Sequence, residues 1–518
     1  MRTVVVTGDA LTVEDVVSVA RGGARAVLGP DVPARMEPSR RLVADAVEQG
    51  QVMYGITTGF GALADTRIPR QDLARMQLAL VRSHAAGVGR PLADDVVRGL
   101  LLLRARTLTA GLSGVRVDLP ARLLGLLDRG LLPVLPGKGS VGASGDLAQL
   151  AHLALPLVGE GRLRRAGDRL EGRPAAELLA EEGLEPIELG PKEGLSLING
   201  TEPMQVLLAL AVEDARLLCK VADLAAAMSL DALLGTNRAY DPRVIDIRPH
   251  PGQLASATNL RALLEGSGLL ASHRHDLAHA VQDSYCLRCA PQVHGAVRDV
   301  LAHVKRVIGI ELGSVVDNPV IVEADDGDGL TVMSTGNFHG EPLAFGGDML
   351  AMAVAELVSI SERRTDRMLD PAFSRGLPPF LAPEPGTNSG YMIAQYTAAS
   401  LVSENKVLTH PSSVDTIPTS GNQEDHVSMG WTSMRKLHDV VANVRSVLAV
   451  EIVCAAQGLD LRGHVAAPSP AIAAVHARIR SAVPRMDSDR EMAPQLAAVE
   501  DMLIDLVEVA ESVTGPLG

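Results

Sequence analysis

The sequence predicts a mainly α-helical protein built on a long central helical bundle, with a few short β-hairpins. Ala, Leu, Val, Glu and Arg are abundant, and apolar residues recur at helical spacing over long stretches. Residues 203–234 and 430–457 each predict a helix of about 30 residues, roughly 45 Å long. The stretch from Leu343 to Leu357 is apolar nearly all round, which is typical of a helix buried among other helices. Rods of this length favour a bundle.

Strand patterns are few. Residues 320–334 predict a hairpin that turns at the sequence DDGDG, and residues 161–172 predict another short one. We expect a smaller N-terminal globular domain over residues 1–110 and an elongated helical domain over residues 111–518, which contains the central bundle.

The composition limits the class of protein. The 518 residues include 48 Lys and Arg against 62 Asp and Glu, a net charge of −14. A broad nucleic-acid surface or a polybasic membrane patch is therefore not expected. The hydrophobic set makes up 47% and charged residues 21%, which excludes a disordered tail protein.

Cysteine usage and apolar runs predict a cytoplasmic protein. Four cysteines in a chain of this length do not make a disulfide framework, and they indicate a reducing compartment. The N-terminus lacks the apolar core of a signal peptide, and no apolar run reaches about 18 residues.

The densest motif is GKGSVGASGDLAQLAHLAL, residues 137–155. Its glycines fit GxGxxG, but prolines spoil the preceding strand and the surroundings are helical. A phosphate-binding loop fails because Gly139 follows Lys138, and a nucleophile elbow fails because Asp146 takes the place of its last glycine. The structural alternative is a flexible loop ahead of a helix that begins near Asp146, where a first-turn carboxylate is favourable. That alternative does not explain so many small residues before it.

A different chemistry accounts for the small residues. In Ala143-Ser144-Gly145, Gly145 lacks a Cβ, so in a tight bend its backbone nitrogen can approach the carbonyl carbon of Ala143. Cyclisation and loss of the Ser144 hydroxyl would release two waters and leave a conjugated methylidene-imidazolone. This group is an electrophile that no unmodified side chain supplies.

At this motif, and at those described below, the sequence resembles the aromatic amino acid ammonia-lyases, over residues 54–429. The resemblance implies a 4-methylidene-imidazole-5-one formed autocatalytically from Ala143-Ser144-Gly145, without an external cofactor. It also implies a homotetramer whose active sites are completed by loops of neighbouring subunits.

Three motifs carry the resemblance in the first part of the chain. Tyr54, in YGITTGFG, is usually a buried residue beside a turn, but the resemblance makes it the general base. His84, at the end of an apolar helix, is more often a packed or capping residue, but the resemblance places it against the imidazole of the substrate. Tyrosine-selective relatives have His one place earlier, where this chain has Ser83, which favours histidine. An Asn just before a helix, such as Asn199, is usually an N-cap. The resemblance implies that Asn199 helps to hold the amino acid portion of the substrate.

A further motif, QDSYCLRCAPQVHG, contains Gln282, Tyr285 and Arg288. An Arg is ordinarily a surface charge, but its planar fork also suits two-pronged capture of a carboxylate. The resemblance assigns Arg288 to the substrate carboxylate and places Gln282 and Tyr285 in the lining of the pocket.

Two loops complete the expected site. Phe338, in STGNFHGEP, would ordinarily be a packed core residue, but the resemblance places it beside the electrophile. Glu424, in TSGNQEDHVSM, suits a solvated acidic loop, and the family places it near the substrate ring.

Some positions depart from the family pattern. Thr57 stands where the family usually has Asn, while Ser284 and Cys286 replace Pro and Ser. The pair Cys286-x-x-Cys289 has no second CxxC to accompany it, so no metal site is expected.

The residues and the resemblance together predict elimination of ammonia from L-histidine to give trans-urocanate. A tyrosine or phenylalanine lyase, or an aminomutase, would share the same electrophile and stays open. A helical scaffold without catalysis would explain the helices but not the polar loops. An NAD enzyme rests on the glycine match alone.

Overall fold

A computed structural model describes residues 2–53, 55–59, 66–143, 145–275, 282–324 and 329–518. The described residues are predominantly helical and the strands are short, which confirms the predicted fold class. The helices in chain order are α1 (Val13–Ala20), α2 (Val32–Glu48), α3 (Leu73–His84), α4 (Asp94–Thr109), α5 (Asp118–Asp128), α6 (Leu147–Ala154), α7 (Ala175–Glu181), α8 (Glu193–Ile198), α9 (Glu202–Ala232), α10 (Pro242–Ile245), α11 (Pro251–Leu264), α12 (Gly268–Ser272), α13 (Tyr285–Arg288), α14 (Ala290–Glu311), α15 (Glu341–Leu369), α16 (Met392–Leu408), α17 (Gly430–Arg462), α18 (Pro470–Ala482), α19 (Ala493–Asp501) and α20 (Leu503–Thr514).

The strands form four small sheets. In chain order they are β1 (Arg2–Val6), β2 (Ala24–Leu28), β3 (Val88–Pro91), β4 (Leu131–Pro133), β5 (Pro136–Lys138), β6 (Arg162–Arg165), β7 (Arg173–Pro174), β8 (Val320–Glu323) and β9 (Leu330–Met333).

The predicted hairpin over residues 320–334 is present as the antiparallel pair β8–β9. The second predicted hairpin is part of a larger sheet, since β6 pairs with both β4 and β7. The sequence analysis misses the parallel pair β1–β2, whose strands have five residues each and are joined by α1.

The three longest helices lie where the sequence predicts long apolar segments. α9 has 31 residues, α15 has 29 and α17 has 33. At 1.5 Å per residue they are roughly 45 Å long, as the prediction requires.

One face of α15 differs from the prediction of a helix buried all round. Phe345 is 50% exposed, Met349 is 36% and Met352 is 43%. Their spacing of four and three residues puts them on one side of the helix. The same helix is long and apolar enough to cross a membrane, with an 18-residue window of mean hydropathy 1.6, and 61% of that window is buried inside the protein. A core helix of a folded domain has the same properties.

The chain forms two compact units. Unit 1 comprises Met1–Glu213, Lys305–Asp348 and Pro411–Arg435, and unit 2 comprises Asp214–Val304, Met349–His410 and Lys436–Gly518. The chain passes from one unit to the other within α9, α14, α15 and α17, and between His410 and Pro411. The division at residue 110 stays a prediction about folding domains.

Within unit 1, helices α3, α6 and α8 pack against one another. α3 ends at His84, α6 begins directly after the Ala143-Ser144-Gly145 segment, and α8 ends just before Asn199. Packing of these three helices therefore brings three of the expected site segments into one region of unit 1.

Within unit 2, buried ion pairs hold the helices together. Arg364 on α15 donates from Nε to Oε1 of Glu451 on α17, at 2.5 Å, and both side chains are fully buried. On α9, Asp223 accepts from His294 and Arg298 of α14 at 2.7 and 2.6 Å. The charge of Arg298 and the hydrogen bond from His294 outweigh burial and lower the pKa of Asp223 to about 2.

Candidate active site

The loop between β5 and α6 makes a tight bend at the predicted electrophile. The backbone nitrogen of Gly145 lies 2.6 Å from the carbonyl oxygen of Ala143. Gly145 has φ +73°, and a Cβ on it would lie 1.9 Å from the carbonyl oxygen of Gly200. Only glycine fits such a position. Ser144 itself lies outside the described residues.

This bend fits the methylidene-imidazolone that the resemblance implies. Cyclisation needs the Gly145 nitrogen close to the Ala143 carbonyl group, and the structure has them in contact. A residue with a Cβ in place of Gly145 would push the segment away from Gly200. Ala143, Ser144 and Gly145 are therefore the residues that could hold this group.

Two other segments of unit 1 fix the start of the loop. The carbonyl oxygen of Gly142 accepts from the backbone nitrogen of Gly340 at 3.2 Å and from the hydroxyl of Ser428 at 2.9 Å. The nitrogen of Met429 donates to the carbonyl oxygen of Val141 at 2.9 Å. These contacts place the loop beside the segments that follow Phe338 and Glu424.

Asp146 ties the end of the loop to the start of α9. Its backbone nitrogen donates to the carbonyl oxygen of Gly200 at 2.8 Å, and its carboxylate accepts from Met204 N at 3.2 Å and Ser140 Oγ at 2.6 Å. The carboxylate therefore does not cap α6. The interpretation of this segment as a plain loop ahead of a helix predicted such a cap. Burial raises the pKa of Asp146 to about 7, despite the opposing hydrogen bond from Ser140.

Asn199 follows the last residue of α8, and α9 begins three positions later at Glu202. The default interpretation of Asn199 as an N-cap is therefore wrong, because it ends one helix rather than starting the next. Its Oδ1 is buried and has no hydrogen-bond partner among the described residues. An unpartnered amide oxygen at this place is available to an ammonium group of a substrate.

Arg104, on α4, holds this turn and is absent from the sequence-based predictions. It donates to the carbonyl oxygens of Asn199 at 2.9 Å and Ser196 at 2.5 Å, and to Oε1 of Glu202 at 2.8 Å. Both Arg104 and Glu202 are fully buried. A buried Arg within an apolar helix is the pattern that could have indicated it.

His84 is the last residue of α3 and is half-buried. Its Nδ1 lies 2.9 Å from the carbonyl oxygen of Leu80 and 3.1 Å from Ser83 Oγ. Because a carbonyl only accepts, Nδ1 carries the hydrogen in the contact with Leu80. Nε2 of the neutral ring then offers a lone pair to an N–H donor.

Phe338 and Glu424 are both half-buried in loops of unit 1. Oε2 of Glu424 accepts from Thr419 Oγ1 at 2.6 Å, and the two residues also form a pair of backbone hydrogen bonds. These bonds fix the loop in which Glu424 lies.

Gln282, Tyr285 and Arg288 lie together in unit 2. Arg288 donates to Oε1 of Gln282 at 2.6 Å, and its guanidinium carbon lies 4.6 Å from the centre of the Tyr285 ring. Nε of Arg288 is buried, with no hydrogen-bond partner in the part of the chain that is described. The guanidinium thus retains a donor for a carboxylate.

Tyr54 lies outside the described residues, so its role stays a prediction. In the turn after it, the hydroxyl of Thr57 donates to the carbonyl oxygen of Gln51 at 2.6 Å and accepts from Met53 N at 2.9 Å. Thr57 therefore satisfies the hydrogen bonding of this turn where the family usually has Asn.

The departures at Ser284 and Cys286 are also accommodated. Ser284 precedes α13, and its Oγ lies 3.2 Å from Sγ of Cys286. Cys286 is buried, and neither it nor Cys289 forms a disulfide.

Comparison with known proteins identifies the family of the chain. The family model described as aromatic amino acid lyase matches residues 11–481. A protein named histidine ammonia-lyase from Anaeromyxobacter sp. (strain K) is 50% identical over 507 residues, which are 97% of this chain and 99% of that protein. The chain belongs to the aromatic amino acid lyase family, and the predicted class of carbon–nitrogen lyase is confirmed.

Solved structures are also similar to this chain. The crystal structure of histidine ammonia-lyase from Trypanosoma cruzi superposes with a TM-score of 0.90 at 40% identity, over 99% of this chain and 96% of that one. Tyrosine aminomutase from Streptomyces globisporus superposes with a TM-score of 0.93 at 37% identity, over 100% of both chains. Similarity of fold therefore does not by itself distinguish the amino acid substrate.

Proposed function

We propose that this chain is a histidine ammonia-lyase, which eliminates ammonia from L-histidine to give trans-urocanate. The observation that carries the proposal is the bend in which Gly145 N contacts the carbonyl oxygen of Ala143 at 2.6 Å. That bend is packed against Gly200, and the preceding residue, Asn199, has a buried amide oxygen without a partner among the described residues.

The methylidene-imidazolone would be held by Ala143, Ser144 and Gly145. When formed, it supplies an electron-poor conjugated centre that activates the substrate for loss of its amine. Its autocatalytic formation is part of the proposal, supported by the exclusion of a Cβ at Gly145.

The remaining groups bind and orient the amino acid. Arg288 binds the carboxylate with the donors that Gln282 leaves available, and Gln282 and Tyr285 line the pocket around it. Asn199 accepts from the ammonium group through Oδ1. Tyr54 removes the proton from the β-carbon as the general base. Fixing both ends of the amino acid aligns the reacting atoms.

The ring of the substrate is recognised by His84 and Glu424, while Phe338 packs beside the electrophile. With Nδ1 of His84 bound to the carbonyl of Leu80, its Nε2 accepts from the N–H of the substrate imidazole. When the substrate ring is an imidazolium, Glu424 accepts from its second N–H and balances its charge. A phenyl ring offers neither group a hydrogen bond in exchange for the water that it displaces.

A tyrosine or phenylalanine lyase, or an aminomutase, is the second candidate. It is supported by the superposition on a tyrosine aminomutase over the whole chain. The histidine-selective proposal is preferred because Ser83 stands where tyrosine-selective relatives have His.

The proposed assembly is a homotetramer with D2 symmetry, a common closed form for soluble oligomers. Its support is the exposed apolar face of α15, formed by Phe345, Met349 and Met352. Contiguous apolar surface of this kind marks an interaction site. A second copy of the chain is the occupant we propose for this face.

A cytoplasmic location is proposed for the enzyme. Its support is that Cys219, Cys286, Cys289 and Cys454 are all unpaired, as expected in a reducing compartment.

The proposed function is tested by incubating the purified chain with L-histidine and following the absorbance of urocanate. The Ser144→Ala variant is the matched control, since it removes the hydroxyl that would be lost as water. We expect the parent to produce urocanate and to have an intact mass lower than the encoded mass by two waters. The variant should keep its encoded mass and lose most turnover. A fully active parent with an unmodified mass would show that the electrophile is absent.

A further inference from the structure

Three metal-ligating side chains that the proposed mechanism does not use lie together in unit 1. They are His339, Glu341 and His426, and their ligand atoms all lie within 4.8 Å of one another. Glu341 is the first residue of α15, and His426 lies in the loop before α17. Because 87 residues separate the two histidines, no spacing pattern in the sequence predicts this cluster.

The imidazole of His339 is oriented by the backbone. Its Nε2 lies 3.2 Å from the carbonyl oxygen of His426. Since a carbonyl only accepts, Nε2 carries the hydrogen in this contact, and the neutral ring has its lone pair on Nδ1. Metal-binding histidines have this arrangement, with one ring N–H on a carbonyl or carboxylate and the other nitrogen on the metal.

The Nδ1 atom of His339 lies close to a second acceptor. Oε2 of Glu341 is 4.0 Å away, is buried, and has no hydrogen-bond partner within the described ranges. A buried carboxylate oxygen without a donor is costly. Positive charge between the two atoms, from a proton on Nδ1 or from a metal ion, would stabilise both.

His426 adds a third ligand beside this pair. Its ring stacks on that of His339, with centroids 5.7 Å apart and an interplanar angle of 28°. The residue is exposed, so its side chain is able to rotate.

We propose that His339, Glu341 and His426 bind one divalent metal ion of the zinc class. Two imidazole nitrogens and one carboxylate oxygen suit Zn²⁺, whereas Mg²⁺ prefers oxygen ligands. Tetrahedral Zn²⁺ with bonds of about 2.0–2.1 Å keeps its ligand atoms about 3.3 Å apart. Closing the present separations of up to 4.8 Å needs movements of about 1–1.5 Å, to which the exposed side chain of His426 contributes by rotation.

The ion would join two loops that carry expected site residues. His339 directly follows Phe338, and His426 lies two positions after Glu424. Gly340, between His339 and Glu341, donates to the carbonyl oxygen of Gly142 in the electrophile loop. Metal binding would therefore restrict the segments that carry Phe338 and Glu424, and it is measurable without substrate or activity.

The test is calorimetric titration of Zn²⁺ into the full-length, untagged chain after treatment with a chelator. We expect saturable binding of one ion per chain and no comparable heat with Mg²⁺. His426→Ala removes an exposed ligand without disturbing the core, and it should weaken binding at least about tenfold. His339→Ala and Glu341→Gln should do the same. His464→Ala is the matched control, because His464 is exposed and lies outside the cluster, and it should bind like the parent.

A second measurement distinguishes this site from the cysteines. Cobalt bound by histidine and carboxylate lacks the thiolate charge-transfer absorption that a cysteine ligand gives, and Cys289→Ser should leave binding unchanged. The proposal is overturned if the parent does not bind Zn²⁺, since His339 and Glu341 are then a simple ion pair. It is equally overturned if the His426→Ala and His339→Ala variants bind as tightly as the parent, or if Cys289→Ser abolishes binding.

Discussion

The backbone nitrogen of Gly145 lies 2.6 Å from the carbonyl oxygen of Ala143 and donates a hydrogen bond to it. The nitrogen that would attack in the proposed cyclisation is therefore held next to the carbonyl group. Holding it there removes part of the entropic barrier to attack on the carbonyl carbon. The close approach depends on Gly200, whose carbonyl oxygen leaves no space for a side chain at residue 145.

Gly145→Ala should prevent formation of the electrophile. The new Cβ would lie 1.9 Å from Gly200 O, so the bend has to open. We expect an intact mass equal to the encoded mass and loss of most urocanate production. Gly167→Ala is the matched control, because Gly167 also has a positive φ, of +85°, but has open space around it. It should cost about 1–2 kcal/mol of stability and keep the loss of two waters. A dehydrated Gly145→Ala chain would contradict the proposed role of the bend.

Arg288→Lys should lower kcat/KM for L-histidine even though the charge is kept. Lysine lacks the planar fork, and each charge-assisted hydrogen bond is worth about 1.5–3 kcal/mol, or about 10- to 150-fold in rate. Arg288→Ala should lower kcat/KM further. Steady-state kinetics measure both, with the exposed Arg274→Lys as control. If the Arg288 variants match the parent, Arg288 is only a surface charge.

Asp146→Asn should flatten the pH dependence of stability. Burial raises the pKa of Asp146 to about 7 in the folded chain, from 3.8. The folded state therefore binds more protons than the unfolded state between about pH 4 and 7, and the free energy of unfolding falls as pH rises through that window. A shift of about three units corresponds to at most about 4 kcal/mol.

Thermal unfolding at pH 5 and pH 8 measures this effect. The variant should lose less stability than the parent between the two pH values. Glu311, whose pKa burial also raises to about 7, is present in both chains, so its contribution cancels. Parallel pH profiles would show that Asp146 is ionised throughout.

The parent should prefer L-histidine over L-phenylalanine and L-tyrosine by at least about a hundredfold in kcat/KM. His84→Leu removes the ring nitrogen that is free to accept from the substrate, so it should erode this preference mainly by slowing histidine turnover. Glu424→Gln should act in the same direction if Glu424 contacts the ring. Turnover of phenylalanine by each variant is the internal control. Comparable values for the three substrates in the parent would overturn the assignment of histidine and leave the electrophile intact.

Phe345→Glu and Met352→Glu should disrupt the tetramer, because each places a charge on the exposed apolar face of α15. Light scattering should show smaller species with reduced activity. Ile247→Glu is the matched control, since Ile247 is 83% exposed and is not part of that helix. A fully active monomeric parent would exclude the proposed assembly.

The sequence predicts much of the fold because long apolar segments determine helices locally. α9 and α17 lie within a few residues of their predicted ranges. The tight bend at Ala143-Ser144-Gly145 could also be predicted, since the absence of a Cβ at Gly145 is visible in the sequence. The contact with Gly200 could not, because it depends on how α6 and α8 pack.

The sequence also does not predict residues whose contacts are distant along the chain, because those contacts depend on how the helices pack. Arg104 reaches Asn199 across 95 positions of sequence, and Met204 reaches the carboxylate of Asp146 across 58. The residue type of Asn199 predicts an N-cap at the start of a helix, whereas in the structure Asn199 follows the last residue of α8. Local preferences therefore do not reveal contacts between residues that are distant in sequence.

The electrophile loop also has a consequence for the order of events during synthesis. Ser428 and Met429 contact it from almost three hundred residues further along the chain. If cyclisation needs the bend in its final form, it has to wait until residues beyond 428 have been made and unit 1 has assembled. The missing mass of two waters then marks each molecule that has completed this assembly, and chains that retain the encoded mass are those in which it failed.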